Sequence, residues 1–166
     1  MAEITIGIRA ILSHPLIYSL FTLLIGAHGF RKNFIATLVR PFQGMKILDI
    51  ECGRADVLSY LSNVEYWGFS ISEEYIQHAR VKFGNRGSFQ CKQFELPAFD
   101  TVLAIGVLHH LDDSSAVFIM RLASNALKTG GRLLIINLCL EPPSQSQIAR
   151  FLNRRDRGQN VRDKAG

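Results

Sequence analysis

The sequence predicts an α/β protein, a three-layer, doubly wound parallel sheet with helices on both faces. Apolar runs near 46–50, 65–70, 88–92, 100–105 and 132–138 alternate with stretches of helical periodicity. That alternation implies parallel strands joined by right-handed crossovers. Residues Asp100–Ile105 are nearly all apolar, as in a strand covered on both faces. The first run, Lys46–Ile50, leads into a tight glycine-containing turn, Glu51–Asp56. Such a turn can present backbone N–H groups to a ligand carboxylate where a helix begins.

Each element has local signals. Ser13 with Pro15 suits a helix start, and Gly26 to Gly29 a stop. A second helix fits Phe30–Arg40, with Phe30, Phe34 and Leu38 at i, i+4 and i+8 and Pro41 ending the run. Strand one is Lys46–Ile50, and a helix is expected from Arg54 to Leu61. Glu65–Ser70 reads as strand two. Ser72 then caps a helix with Glu73 and Glu74 in its first turn, where the helix dipole favours acids, and with Ile76, Ala79 and Phe83 facing inward. Ser88–Lys92 is a short third strand and Asp100–Ile105 the fourth. Asp113 or Ser114 opens a helix with Ala116, Ile119, Met120, Ala123 and Leu127 on one face. Gly130-Gly131 turns the chain into strand five, Arg132–Leu138.

The 166 residues, 48% of them hydrophobic, suffice for one domain with a substantial core, and no low-complexity linker or repeat divides them. Cys52, Cys91 and Cys139 lie far apart without metal-type spacing, which favours reduced thiols, a cytoplasmic setting and no metal site. Residues 4–27 are apolar, but Arg9, His14 and Pro15 break them, leaving a run of roughly a dozen, too short for a bilayer span. No signal-peptide pattern is evident, because Glu3 stands where positive charge is usual. Much of the +5 formal charge sits in Arg150, Arg154, Arg155, Arg157, Arg162 and Lys164. Without interleaved aromatics this tail does not make a nucleic-acid stacking surface. It reads either as a solvated helix face with a loose end or as an attractor of anions.

With strand order 3-2-1-4-5, the winding reverses between strands one and four, and ligands of such sheets gather there at the strands' carboxyl ends. Two loops border that crevice, Glu51–Asp56 and Gly106–Asp113. They are also the most unusual polar stretches beside apolar strands.

Four segments, in order, resemble the class I S-adenosylmethionine (SAM) dependent methyltransferases. Lys46-Ile-Leu-Asp-Ile-Glu-Cys-Gly-Arg-Ala-Asp56 resembles their acidic-x-Gly-x-Gly-x-Gly motif, with Asp49 the acid, Gly53 the central glycine, and Glu51 and Ala55 in the flanking glycine positions. Tyr66–Arg80 is similar to the second motif, a Tyr-x-Gly-x-Asp-x-Ser run with Ala-Arg in the helix after it. Phe99–Asp113 is similar to the fourth-strand motif, and Leu127-Lys-Thr-Gly-Gly-Arg-Leu133 to the Leu-Lys-Pro-Gly-Gly turn before strand five. The likeness covers roughly 46–140.

It implies a Rossmann-like core at 45–140, N-terminal helices at 1–44 covering a cofactor cleft, and a C-terminal helix with a basic tail at 141–166. The family's C-terminal antiparallel hairpin is expected to be lacking. An uncovered strand-five edge would then invite pairing, so a homodimer through that edge or the C-terminal helix is expected.

The implied cofactor is SAM, held by Asp49, Glu51, Cys52, Gly53, Ser70, Ile71, Gln93, Phe94, Ile105 and Gly106. Ser70 stands where the family has an acid that accepts both ribose hydroxyl bonds; it reads either as a weaker acceptor or as a turn hydroxyl. Gln93 stands where an acid meets the adenine amino group, and Phe94 packs on adenine or in the core. Glu51 is expected to place negative charge near the ligand's carboxylate, a repulsion of roughly 1–4 kcal/mol at a partly exposed site. Ala55 is a mild change if its φ stays negative.

His109 and His110 are the candidate catalytic residues, since neutral imidazole titrates near physiological pH. The competing reading is that both are structural. Cys52 is not expected to be a nucleophile. Tyr18 and Arg31 serve the core or surface, or touch donor or acceptor. The resulting expectation is methyl transfer from SAM to a small-molecule acceptor, with weakened activity. The competing class is a catalytically inactive binding module on the same fold. A nicotinamide-binding domain is disfavoured, because Glu51–Asp56 lacks Gly-x-Gly-x-x-Gly.

Overall fold

The computed structural model describes residues 27–91 and 98–137. The chain divides into two compact units, Met1–Arg40 and Pro41–Gly166. In the first, α1 (Ala27–Phe34) runs directly into a π-helical turn, Ile35–Val39. Arg40 N–H donates to the Ile35 carbonyl at 2.8 Å, five residues back. The wider turn changes which side chains stack. Val39, not Leu38, joins Phe34 and Ile35 among the buried residues, whereas Phe30 and Leu38 are exposed. The expected i, i+4, i+8 stripe is therefore corrected. Gly29 lies inside α1 instead of ending a helix.

Among the described residues, the second unit carries a five-stranded parallel sheet of order β3-β2-β1-β4-β5. Its strands are β1 (Met45–Ile50), β2 (Val64–Phe69), β3 (Ser88–Gln90), β4 (Phe99–Ile105) and β5 (Leu127–Ile136). Helix α2 (Glu73–Phe83) links β2 to β3, and α3 (Asp113–Ala126) links β4 to β5. The fold class and strand order are those expected from the sequence.

Register explains the two faces. Asp49 pairs with Gly68 and Leu103, while Leu48 pairs with Trp67 and Val102. Since alternate residues face opposite sides, Leu48 and Ile50 share one face. They cluster there with Phe99 and Val102 and with Ala123 and Ala126 of α3. Trp67 meets Phe99 edge-to-face at 5.2 Å. On the other face, Phe89 of β3 lies between Tyr66 (5.9 Å) and Phe83 of α2 (6.3 Å). A fully buried aliphatic or aromatic side chain of this kind contributes roughly 1.5–3 kcal/mol.

Some local expectations are corrected. The segment after β1 forms no α-helix, only a 3-10 run at Asp56–Tyr60. Arg86 explains the early stop, because its Nη2 donates to the carbonyls of Leu58 (3.1 Å) and Leu61 (2.7 Å). Those acceptors are thereby satisfied without further helix. Ser72 caps α2 as expected, accepting from Tyr75 N–H at 3.3 Å. The cap of α3 is instead Asp112, one residue early, whose carboxylate accepts from Ser115 N–H and the Ser114 hydroxyl, both at 2.8 Å.

Strand β5 begins at once after α3. Leu127 pairs with Phe99 and Arg132 with Thr101, so the residues between, including Gly130-Gly131, form a bulge and not a preceding turn. Among the described residues β5 is an edge of the sheet. The expected C-terminal helix and basic tail lie outside the described residues, as do Tyr18, Ser13 and Pro15. No helix among the described residues is long and apolar enough to cross a membrane.

Thr101 is fully buried and its hydroxyl has no hydrogen-bond partner among the described residues. An unsatisfied buried hydroxyl costs about 1–3 kcal/mol. Thr101→Val should therefore raise unfolding free energy by about 1 kcal/mol, read from urea melts; a loss of stability would show that the hydroxyl is satisfied.

Candidate functional site

Ile50 pairs with Phe69 and Ala104, so Glu51, Ser70 and Ile105–Gly106 all leave the sheet at the same end. The crossover reverses there, since β1 has β2 on one side and β4 on the other. Ladder bonding continues past the strands: Cys52 N–H donates to the Phe69 carbonyl at 2.9 Å, and Gly106 N–H to that of Ile136 at 2.7 Å. The two motif loops thus border one sheet end.

The turn after β1 has an alternating backbone. Glu51, Gly53 and Ala55 have φ of 55°, 54° and 55°. These three positions are the glycines of the family motif. The left-handed region is costly for residues with a Cβ, about 1–2 kcal/mol each. Ala55 therefore keeps the glycine conformation, contrary to the negative φ that would have made it a mild change. Among the described residues, a side chain added at Gly53 would meet nothing within 4 Å, so the backbone there is open to approach from them. Gly68 plays the opposite part. A Cβ there would lie 2.8 Å from Cys52 Sγ, so its absence lets the turn settle onto β2.

Four polar groups meet around this turn. Asp49 is buried, and its Oδ2 accepts from the Tyr66 hydroxyl at 2.6 Å. Burial pushes the Asp49 carboxyl up to about 7; the Tyr66 bond opposes this and the Glu51 carboxylate adds to it. Burial also raises Tyr66, with Asp49 contributing. The Cys52 thiol is pushed far up by burial and then by Asp49 and Glu51, so it stays protonated and is no nucleophile. Asp49 therefore sits beneath the turn, engaged with Tyr66.

Glu51 reaches across to the end of β2. Its Oε2 accepts from the Ser70 hydroxyl at 3.1 Å and its Oε1 from Ile71 N–H at 3.2 Å. Burial raises its pKa, opposed by those two bonds. Ser70 is buried and Ile71 is 80% exposed beside it. Gln93 and Phe94 lie outside the described residues.

On the β4 side, Gly106 has φ 69° and Ile105 is partly buried. His109 is buried, and its Nδ1 lies 2.9 Å from Asn137 Oδ1. An amide oxygen only accepts, which places the proton on Nδ1. His110 is exposed, with its ring centroid 4.0 Å from that of His109. The structure thus groups Asp49, Glu51, Cys52, Gly53, Ser70 and Ile71 at the β1–β2 end, and places Ile105 at the end of β4 with Gly106, His109 and His110 after it. Arg31 belongs to the other unit.

Tyr66 and Asn137 were missed as site residues. An acid inside an apolar strand signals a buried donor, but only the strand register names Tyr66. A hollow of about 180 Å³ lies at the opposite end of the sheet, lined by residues including Met45, Asp100, Thr101 and Lys128. None of the motif-turn residues lines it, and it has no part in this site.

A methyltransferase-domain family model matches residues 27–162. This chain belongs to the class I SAM-dependent methyltransferase family. No curated protein sequence matches it. Among solved structures, the chain is similar to mitomycin 7-O-methyltransferase MmcR (TM-score 0.63, 20% identity, 92% of this chain and 49% of that one). It is also similar to a TehB-like SAM-dependent methyltransferase from Corynebacterium glutamicum (0.60, 20%, 85% and 80%). A third is the glycopeptide N-methyltransferase MtfA, solved with SAM (0.59, 18%, 70% and 56%). The chain therefore spans most of one of these relatives and about half of the other two. At such identities the likeness shows the fold.

The raised Asp49 carboxyl has a consequence for stability. An acid whose folded pKa exceeds its unfolded value binds more protons when folded, so its contribution falls as pH rises from 3.8 toward about 7. Asp49→Asn retains an acceptor for Tyr66 and should flatten that fall. It should stabilise the protein at the top of the window by on the order of 1–4 kcal/mol, measured by urea melts at both ends of the window. An unchanged pH slope would mean Asp49 is charged throughout.

Proposed function

We propose that this chain binds SAM across the carboxyl ends of β1, β2 and β4 and directs its methyl group to a small-molecule acceptor. One observation carries this reading. The turn keeps left-handed backbone at all three motif glycine positions although two hold other residues, and no other described residue crowds its centre at Gly53. Backbone that tolerates such strain beside an open approach fits a turn built for a ligand.

The residues present fit the cofactor. The turn at 51–55 offers backbone, Glu51 of that turn brings a carboxylate to the end of β2, and exposed Ile71 offers an apolar surface. Ile105 and Gly106 bound the other side. SAM, when bound, supplies an electrophilic methyl carbon. The chain's task is then to position an acceptor nucleophile in line, which dominates such a reaction.

His110, exposed beyond β4, is the group that can take a proton from an acceptor hydroxyl or amine. His109, buried and tied to Asn137, positions that loop. The small-molecule class of acceptor is supported by relatives whose names specify mitomycin O-methylation and glycopeptide N-methylation. The cytoplasmic setting rests on the reduced-thiol reading, and pairing through β5 on its place at the sheet edge.

Donor binding is tested by thermal shift. SAM or S-adenosylhomocysteine at 100 times its dissociation constant should stabilise the protein by about 2.7 kcal/mol. No shift at millimolar concentrations of either would end the reading and favour the non-catalytic one.

A further inference from the structure

We propose that Glu51, reaching across from the turn after β1, supplies the carboxylate that receives the ribose hydroxyls of the adenosyl ligand. The inference rests on the donor-binding reading above. In doubly wound nucleotide-binding sheets, an acid in this region takes a ribose hydroxyl, yet β2 ends here in Ser70, which carries no charge. A carboxylate nonetheless stands at that place. Glu51 Oε2 is 3.1 Å from Ser70 Oγ, and Oε1 is 3.2 Å from Ile71 N.

The arrangement has the chemistry of a held acceptor. One donor engages each oxygen, and a carboxylate oxygen has a second lone pair to offer. The Ser70 hydroxyl oxygen itself accepts from Ser72 N–H at 3.3 Å, which leaves its proton for Glu51. Neighbouring strands stand about 4.8 Å apart, a gap that the two-methylene stem of Glu spans from β1 to β2. The left-handed φ of 55° at Glu51 is a conformation that residues with a Cβ rarely adopt, and here it accompanies those two bonds. The acid gained at 51 and the acid absent at 70 are then one change, in which the charge is delivered from the neighbouring strand. Glu51 touches the ligand, and Ser70 is a positioning residue.

The test is calorimetric titration of the full chain with S-adenosylhomocysteine and its 2′-deoxy and 3′-deoxy forms, with melting curves to confirm folding. Wild type should prefer the ribose form by roughly tenfold or more, the scale of a hydrogen bond to a charged acceptor. Glu51→Gln should lose that preference by weakening only the ribose form, and Ser70→Ala should reduce it less. If Glu51→Gln keeps the preference, or Glu51→Gly binds the ribose form more tightly than wild type, the inference fails while donor binding stands. If neither wild type nor Glu51→Gly binds any of the three ligands, the donor-binding reading fails as well.

Discussion

The turn after β1 must leave the sheet while Cys52 N–H remains bonded to the Phe69 carbonyl, and the site geometry depends on that constraint. The chain meets it by placing residues 51, 53 and 55 in left-handed backbone. Two of those residues carry side chains and bear about 1–2 kcal/mol each. Offsetting interactions surround them. Ala55 is fully buried, Glu51 gains two hydrogen bonds, and Cys52 settles where Gly68 has no side chain.

Beneath the turn lies a small electrostatic system. Asp49, Glu51, Tyr66 and Cys52 are near enough to shift one another, and burial pushes each toward its neutral form. The short Tyr66–Asp49 bond ties β1 to β2 on the α2 face of the sheet. The Glu51–Ser70 bond ties the same two strands just beyond their ends. Both couplings fix the separation of the first two strands at this end of the sheet. The β4 side is built differently, with a left-handed glycine at Gly106 against the ring of His109, a buried imidazole held by Asn137.

Much of the fold was legible in the residues. Alternating apolar runs gave five parallel strands, and Ser72 with Glu73 and Glu74 marked the start of α2 correctly. The misreadings share a physical origin. In a regular helix Leu38 would share a face with Phe30 and Phe34, whereas the π turn at Ile35–Val39 brings Val39 among the buried residues instead. Arg54–Leu61 looked helical, yet Arg86, a residue remote in sequence, satisfies its carbonyls. Gly130-Gly131 looked like a turn, but pairing of Leu127 with Phe99 drew it into β5 as a bulge.

The sequence by itself determined the order of elements, the parallel sheet and the loops that border the crevice, because periodicity, capping and turn residues are local. It also placed Asp49, Gly53 and Gly106 at strand ends. Only the tertiary structure decided where charges point: Asp49 down to Tyr66, and Glu51 across to Ser70 and Ile71. A side chain's direction at such a turn depends on its φ and on donors from a strand some twenty residues away, and neither is encoded in residue spacing.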